Sequence, residues 1–475
     1  MSKINEIFKN TSWLLISQII TSIFGFVWIV LLARYLGVSD FGIMNFAISF
    51  TSIMSIFIDL GINTYITRDL SRSPELSQKY IGNAIPLKIF LSILSFIATL
   101  VILLIMDYNL LSIQVVLLFA IQTIFLSMGW LFNGVFQAFS KMKYQAIGII
   151  INSSLILSGT LLLTYFNLGL IAVALSYMVG SIITLIYLYN NIKNKIVIPK
   201  IQIDLDFWKK SIKQAIPFGI TGIFTTIYFM IDTVMISFMV GNTAVGIYSS
   251  AYKIITVFTT IYTVYTYVVF PLMSKLYKDS EDLLKISYEK SIKYLIMIML
   301  PFAIGITIYS QDIITLIYGK SYIFAGDVLK ILIWNVLFIM INGASTSLLN
   351  SSNSEVAVTK INGLACLVNV VLNLFLIYYL SYIGASIATI ITGVIIFILM
   401  TYIILKNKYK PDKSLIYGIV KICVSGLILA IILLILNLSM WIALPVAIII
   451  YLIGIYLTKS LDSTDKAVIK EIIGK

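Results

Sequence analysis

Three ionisable residues stand inside long apolar runs of this 475-residue chain: Asp59, Asp232 and Lys253. An ionised group in such surroundings is expensive unless it faces a water-filled cavity or an opposite charge. A desolvated carboxylate titrates nearer neutrality than in water and can carry a proton or a cation, so Asp59 and Asp232 are coupling-ion candidates. An ammonium can attract a phosphate or an acidic sugar, which makes Lys253 a candidate anion contact. For each of the three, the competing reading is a structural ion pair.

Hydroxyls, amides and phenols recur around these charges at helical spacing. Asn45, Ser49, Ser52, Asp59 and Asn63 fall within about 50° of one helix face. Thr221, Thr225, Tyr228 and Asp232 share a second face, and Ser249, Tyr252, Lys253, Thr256, Thr260, Thr263 and Tyr267 a third. Asn362, Asn369 and Asn373 form a shorter set, and Gln18, Ser22 and Trp28 a looser one. Arg34, at the end of the first apolar run, either meets an anionic head group or anchors a helix end. The candidate substrate contacts are therefore Arg34, Lys253, Tyr228, Tyr252, Thr256, Tyr267, Asn45 and Asn369. Their phenol rings can stack on sugars, and their hydroxyls and amides can bond sugar hydroxyls. Serine and threonine also bond their own helix or join neighbouring ones, which is the plain alternative.

The chain has no histidine, the commonest general base and metal ligand. Both cysteines, Cys366 and Cys423, lie in apolar runs, which reads as packing and not as a disulfide or thiolate site. No metal, cofactor or catalysis is expected.

The elements that position these residues are membrane helices. Of the residues 60% are hydrophobic and 11% charged, against roughly 45–50% apolar usage in a soluble domain. Apolar runs of about 20 residues, enough to cross roughly 30 Å of hydrocarbon, recur from end to end. Backbone groups in lipid must be bonded internally, so the runs predict helices. Fourteen are predicted, from 11–32 and 41–67, through 213–239 and 247–273, to 415–437 and 440–458. "MSKINEIFKN" reads as the start of an uncleaved first helix.

Placing the amino terminus in the cytoplasm puts 27 of the 33 cations on the inner side, as the positive-inside rule asks. Both termini are then cytoplasmic. The net charge of +13 reads as basic loops on an anionic leaflet, with no nucleic-acid partner. Arg68, Lys88 and Lys421 near the inner boundary and Lys330 near the outer one read as snorkelling cations. Outer loops are short, the longest about 311–326, which leaves no outward domain for a membrane polymerase or glycosyltransferase.

The second half restates the first. "YLGVSDFGIM" has the counterpart "MVGNTAVGIY", which sets Gly37 and Gly42 opposite Gly241 and Gly246 at an offset of 204. "NLGLIAVALS" has the counterpart "YIGASIATII", with Gly169 opposite Gly384 at an offset of 215. Two pseudo-symmetric six-helix lobes, 1–195 and 196–405, are expected, followed by a helix pair and cytoplasmic tail over 406–475. An even-numbered repeat keeps both copies facing the same way, as in transporters whose cavity opens alternately to either side.

"LLARYLGVSDFGIMNFAISFTSIMSIFIDLGINTYITRDLSR" in the first two helices resembles the opening of the Wzx-type polysaccharide and O-antigen flippases. "KINGLACLVNVVLNLFLIYYLSYIGASIAT" is similar to the eleventh and twelfth helices of that family, which belongs to the multidrug/oligosaccharidyl-lipid/polysaccharide exporter superfamily. The resemblance implies translocation of undecaprenyl-pyrophosphate-linked oligosaccharide repeat units, of O-antigen or capsule type, across the bacterial cytoplasmic membrane. It also implies a cationic cavity lined by helices 1, 2, 7 and 8. Here Asp59 and Asp232 offset Lys253 and Arg34. The partners implied are the lipid-linked oligosaccharide, the bilayer and the polysaccharide polymerase machinery. The rival reading is a drug or organic-cation antiporter of the same superfamily.

Overall fold

The structure, a computed structural model, describes residues 3–407, 409–462 and 465, without the side chains of residues 3–9, 264 and 267. The described chain is all helix, with no strand: α1 Lys3–Asp59, α2 Ile62–Arg72, α3 Ser77–Ile105, α4 Leu110–Ala138, α5 Met142–Phe166, α6 Gly169–Lys195, α7 Leu205–Met239, α8 Asn242–Asp279, α9 Glu281–Ile308, α10 Ser310–Tyr318, α11 Ala325–Ser351, α12 Glu355–Lys406, α13 Lys413–Leu436 and α14 Met440–Leu457.

Among the described residues twelve helices are long and apolar enough to cross a membrane. Two of them, Asn10–Asp59 and Glu355–Lys406, run 50 and 52 residues. At 1.5 Å per residue that is about 75 Å, more than twice a hydrocarbon core. Each holds one non-helical residue, Gly37 (φ 72°) in the first and Ser381 (φ 54°) in the second. Each is therefore two spans, and fourteen result, as the sequence predicts.

The chain folds into two compact units, Met1–Ser249 and Ser250–Lys475. In the first, α1 lies against α4, α5 and α7, while α4 and α5 both meet α6. Its core joins Ile62, Tyr65 and Leu70 of α2 to Leu131, Val135 and Phe136 of α4, with Ile81 of α3 and Ile192 of α6. In the second unit, α11 lies between α9 and α12, and α13 joins α9 to α14.

Polar side chains supply some of the stops. Asn109 caps α4 by accepting from the Ser112 amide at 2.8 Å, and Asp204 caps α7 through the Phe207 amide at 3.0 Å. The expected loop over 311–326 is instead a folded segment, α10 and a following turn, tied down by the buried Tyr318 and Tyr322. The second span departs from the expected unbroken helix over 41–67. It breaks at Leu60 (φ 45°) and Gly61 (φ 85°) before α2 resumes it. The reason is contact: a Cβ on Gly61 would overlap the Ala215 carbonyl and the Gly219 amide of α7.

Candidate functional site

The polar stripe of the second span runs along the second half of α1 and into α2, beside α7 and the start of α8. All of these lie in the first unit. The contact is closest at two places, one at each end of the span. At one end Gly37 and its repeat counterpart Gly241 both take positive φ, 72° and 117°, and each starts a new helix. One turn on, a Cβ at Gly42 would overlap the Asn242 carbonyl, and a Cβ at Gly246 would overlap the Val38 carbonyl. The repeat offset carries Val38 onto Asn242 and Gly42 onto Gly246, so the crossing is reciprocal. Glycine at both positions lets the two backbones touch.

The same end is sealed by aromatic rings. Phe46 stacks on Tyr108 at 4.9 Å and meets Phe238 edge-on at 5.8 Å. The Tyr108 and Ser237 hydroxyls bond at 2.8 Å, and Asn242 Nδ2 donates to Ser112 Oγ at 3.3 Å. At the other end of the span, Gly61 lies against Ala215 and Gly219. The second span thus meets the α7–α8 hairpin at both ends.

Between the two closures lies Asp232, buried at 4% exposure, where Oδ2 accepts the Tyr248 hydroxyl at 2.7 Å. Tyr228, one turn earlier on α7, is half-buried. Asn45 is buried and donates to the Phe41 carbonyl of its own helix at 2.8 Å. Arg34 is exposed three residues before the Gly37 break.

Asp59 makes an ion pair. The Lys88 ammonium of α3 donates to Asp59 Oδ1 at 3.1 Å and to Asn63 Oδ1 at 2.9 Å. Lys88 has no exposed surface, so the snorkelling expected of it is not what this lysine does. An ammonium this deep needs acceptors, and α1 and α2 supply two. The sequence signal was available: Asp59 and Lys88 lie at nearly equal distance on either side of the turn near Ser73.

In the second unit, Tyr252, Lys253 and Thr256 are half-buried along α8. Among the described residues the Lys253 ammonium meets no carboxylate. Thr256 donates to the Lys253 carbonyl at 2.7 Å, and Thr260 and Thr263 likewise bond back to their own helix. Those hydroxyls still offer lone pairs outward. Asn369 is fully buried, accepting from Asn373 at 3.0 Å and facing Thr392 at 3.5 Å. The side chain of Tyr267 lies outside the described residues.

The family model described as polysaccharide biosynthesis protein matches residues 7–277. The chain belongs to that family. The resemblance carried by the first two spans is met at this level, and a second model, MatE, matches residues 217–375 of this polysaccharide biosynthesis protein. An uncharacterized membrane protein of Methanocaldococcus jannaschii is 26% identical, over 84% of this chain and 98% of its own. The probable low-salt glycan biosynthesis flippase Agl15 of Haloferax volcanii is 22% identical over 79% of each. Among solved structures, the lipid II flippase MurJ in its inward closed conformation superposes with a TM-score of 0.80 at 16% identity, covering 97% of this chain and 99% of its own. This polysaccharide biosynthesis protein is thus a multi-pass membrane protein with the MurJ-like fold.

Beyond α14 the family member closes on a charge cluster. Asp465, without exposed surface, accepts from Lys290, Lys293 and Tyr294 of α9. Burial pushes the Asp465 carboxyl up, but these hydrogen bonds outweigh it and hold the carboxyl below its ordinary value. A carboxyl depressed in the folded state adds stability above its unfolded pKa, about 3.9. That stability is lost as pH falls through the lower folded value. Asp465→Asn is expected to cost about 1.5–3 kcal/mol, in line with hydrogen bonds to charged groups. The variant should melt earlier at pH 7 and lose the acid sensitivity of the parent below about pH 4. Thermal melting across pH in detergent reads both, and an unchanged acid limb would remove the cluster from the account of stability.

Proposed function

We propose that this protein is a flippase that moves a lipid-linked oligosaccharide or polysaccharide precursor across the cytoplasmic membrane by alternating access. The observation that carries the reading is the reciprocal Gly42–Gly246 crossing with its aromatic seal at one end of the second span, and the Gly61–Gly219 contact at the other. Two tight closures on one span, with polar side chains between them, are what a carrier needs if one opens while the other holds. In this reading Arg34 and Lys253 attract the pyrophosphate or an acidic sugar. Tyr228, Tyr252, Thr256 and Tyr267 meet sugar hydroxyls as the lobes rock, while Asn45 and Asn369, buried and bonded inside the protein, hold their helices, and Asp232 is the coupling-ion candidate. Asp59 couples only by releasing Lys88. No step needs catalysis.

The six-helix lobes, 1–195 and 196–405, are the moving bodies in this proposal, with both termini and the basic loops on the cytoplasmic face. Relatives occur in archaea and in Bacillus subtilis, where a teichuronic acid biosynthesis protein is 29% identical over 27% of this chain. The carrier is accordingly proposed as a polyprenyl-linked glycan, of which the undecaprenyl-pyrophosphate O-antigen or capsule unit in a bacterial membrane is one form. The polymerase machinery would take the product on the outer face.

The MatE match over 217–375 favours the antiporter branch of the superfamily as a second reading. Deleting the gene separates the two. A flippase deletion accumulates lipid-linked glycan on the cytoplasmic leaflet, and the wild-type copy relieves it. Unchanged glycan pools with heightened sensitivity to cationic drugs would favour the antiporter.

A further inference from the structure

At the end of the first unit that carries its basic loops, a pocket of about 420 Å³ opens between α2, α4 and α5. That volume falls within the roughly 300–1,000 Å³ of small-molecule sites. Its walls hold the indole of Trp130, which is 46% exposed, the amides of Asn133, Gln137 and Gln145, the Thr64 hydroxyl and Arg68. Asn63, which also lines the pocket, is shared with the polar stripe of the second span as read from the sequence. Gly134 leaves room for the Thr67 hydroxyl of α2, which a Cβ there would overlap.

One feature points to a ligand, a pair of glutamine amides on the wall; Asn133 Oδ1, without a hydrogen-bond partner among the described residues, is shielded from the pocket's space by its own burial. Gln137 Nε2 donates to Gln145 Oε1 at 3.1 Å. That bond fixes the two amides and leaves the Gln145 amide hydrogens and the Gln137 carbonyl to serve an occupant.

Charge decides the class of occupant. The Arg68 guanidinium bonds Asp69 at 2.7 Å and lies over the Phe218 ring at 4.8 Å, so its charge is answered inside the protein. The Asp59–Lys88 pair reaches the pocket only through Asn63. What remains is neutral: amides, a hydroxyl and the flat face of an indole. Such a wall suits an uncharged pyranose, whose hydroxyls pair with amides and whose C–H face covers an aromatic ring. It suits a pyrophosphate poorly, since no unpaired cation faces the space.

We infer that this pocket is a sugar-binding subsite that holds one uncharged pyranose unit of the transported glycan. The inference rests on the proposed flippase function and deepens it by assigning where a sugar ring sits before the carrier turns.

The test is direct binding to purified full-length protein in detergent, followed by saturation-transfer NMR. The probes are N,N′-diacetylchitobiose, maltose and inorganic pyrophosphate, with Trp130→Ala and Asn133→Leu as variants. At least one sugar should bind saturably in the millimolar range, weaken by about tenfold or more in each folded variant, and resist competition by pyrophosphate. Trp130 is half-exposed, so its truncation should leave the melting temperature unchanged and decides the matter alone if Asn133→Leu does not fold. Failure of both sugars to bind, equal binding in Trp130→Ala, or displacement by pyrophosphate would each overturn the site. Leaflet translocation is scored separately. Flipping without sugar binding removes the subsite alone, while sugar binding without flipping removes the transport reading and leaves a carbohydrate pocket.

Discussion

Asp59→Asn is expected to destabilise the protein by about 1–3 kcal/mol, below the cost of breaking a fully buried ion pair, because the Asp59 side chain is 27% exposed and asparagine keeps an acceptor for Lys88. The Lys88 ammonium has no exposed surface and, among the described residues, donates to Asp59 Oδ1 and Asn63 Oδ1. Removing the carboxylate leaves that charge with neutral amide acceptors alone. Lys88→Met in the Asp59→Asn background should recover most of the loss, because replacing both charges removes the desolvation cost as well. Chemical unfolding of the two single variants and the double variant measures the coupling. If Asp59→Asn instead leaves stability intact and abolishes transport, with no rescue by Lys88→Met, the carboxylate carries an ion and the pair is incidental.

The second large effect is expected at the glycine crossing. A methyl group at Gly42 or Gly246 meets a backbone carbonyl, which cannot rotate away as a side-chain tip can. Overpacking of this kind costs about 1–3 kcal/mol. In a carrier balanced between two closed ends, that shifts the population by roughly tenfold to a hundredfold toward the state open at the Gly37 end. Gly42→Ala and Gly246→Ala should each express and fold, yet move glycan at less than about a tenth of the parental rate. A cysteine at Val38 should become more reactive toward a membrane-impermeant thiol reagent in both variants. Full activity with unchanged reactivity would mean that this crossing does not gate the path.

Much of this was legible in the chain. The fourteen spans follow from apolar run length, and the Gly37 and Gly241 breaks from their shared surroundings. The repeat offset even fixes which carbonyl faces which glycine, although nothing local says that the two hairpins meet each other. That contact joins residues about 200 positions apart and exists only in three dimensions.

For Asp59 a structural ion pair was the competing reading, but its partner went unnamed because Lys88 was weighed against its own helix, as a snorkelling side chain. Pairing charges across a predicted hairpin would have found it. The neutral pocket left less trace. Trp130, Asn133, Gln137 and Gln145 are common residues on two helices, and only the α2–α4 approach at Gly134 gathers them. The break at Leu60 and Gly61 was hidden for a similar reason, since Gly61 reads as a tolerated membrane glycine until α7 is seen against it.

The central claim is that a polar, lipid-anchored glycan crosses the bilayer through this chain. The most direct measurement reconstitutes the purified protein in liposomes with a fluorescent polyprenyl-pyrophosphate-linked oligosaccharide and follows the fraction open to a membrane-impermeant glycosidase. Starting from lipid distributed over both leaflets, cleavage should proceed beyond the outer pool to near completion with the wild type and stall at the outer pool with Gly42→Ala. Cleavage that stalls at the outer pool with wild-type protein, while the same vesicles exchange an organic cation for protons, would contradict it.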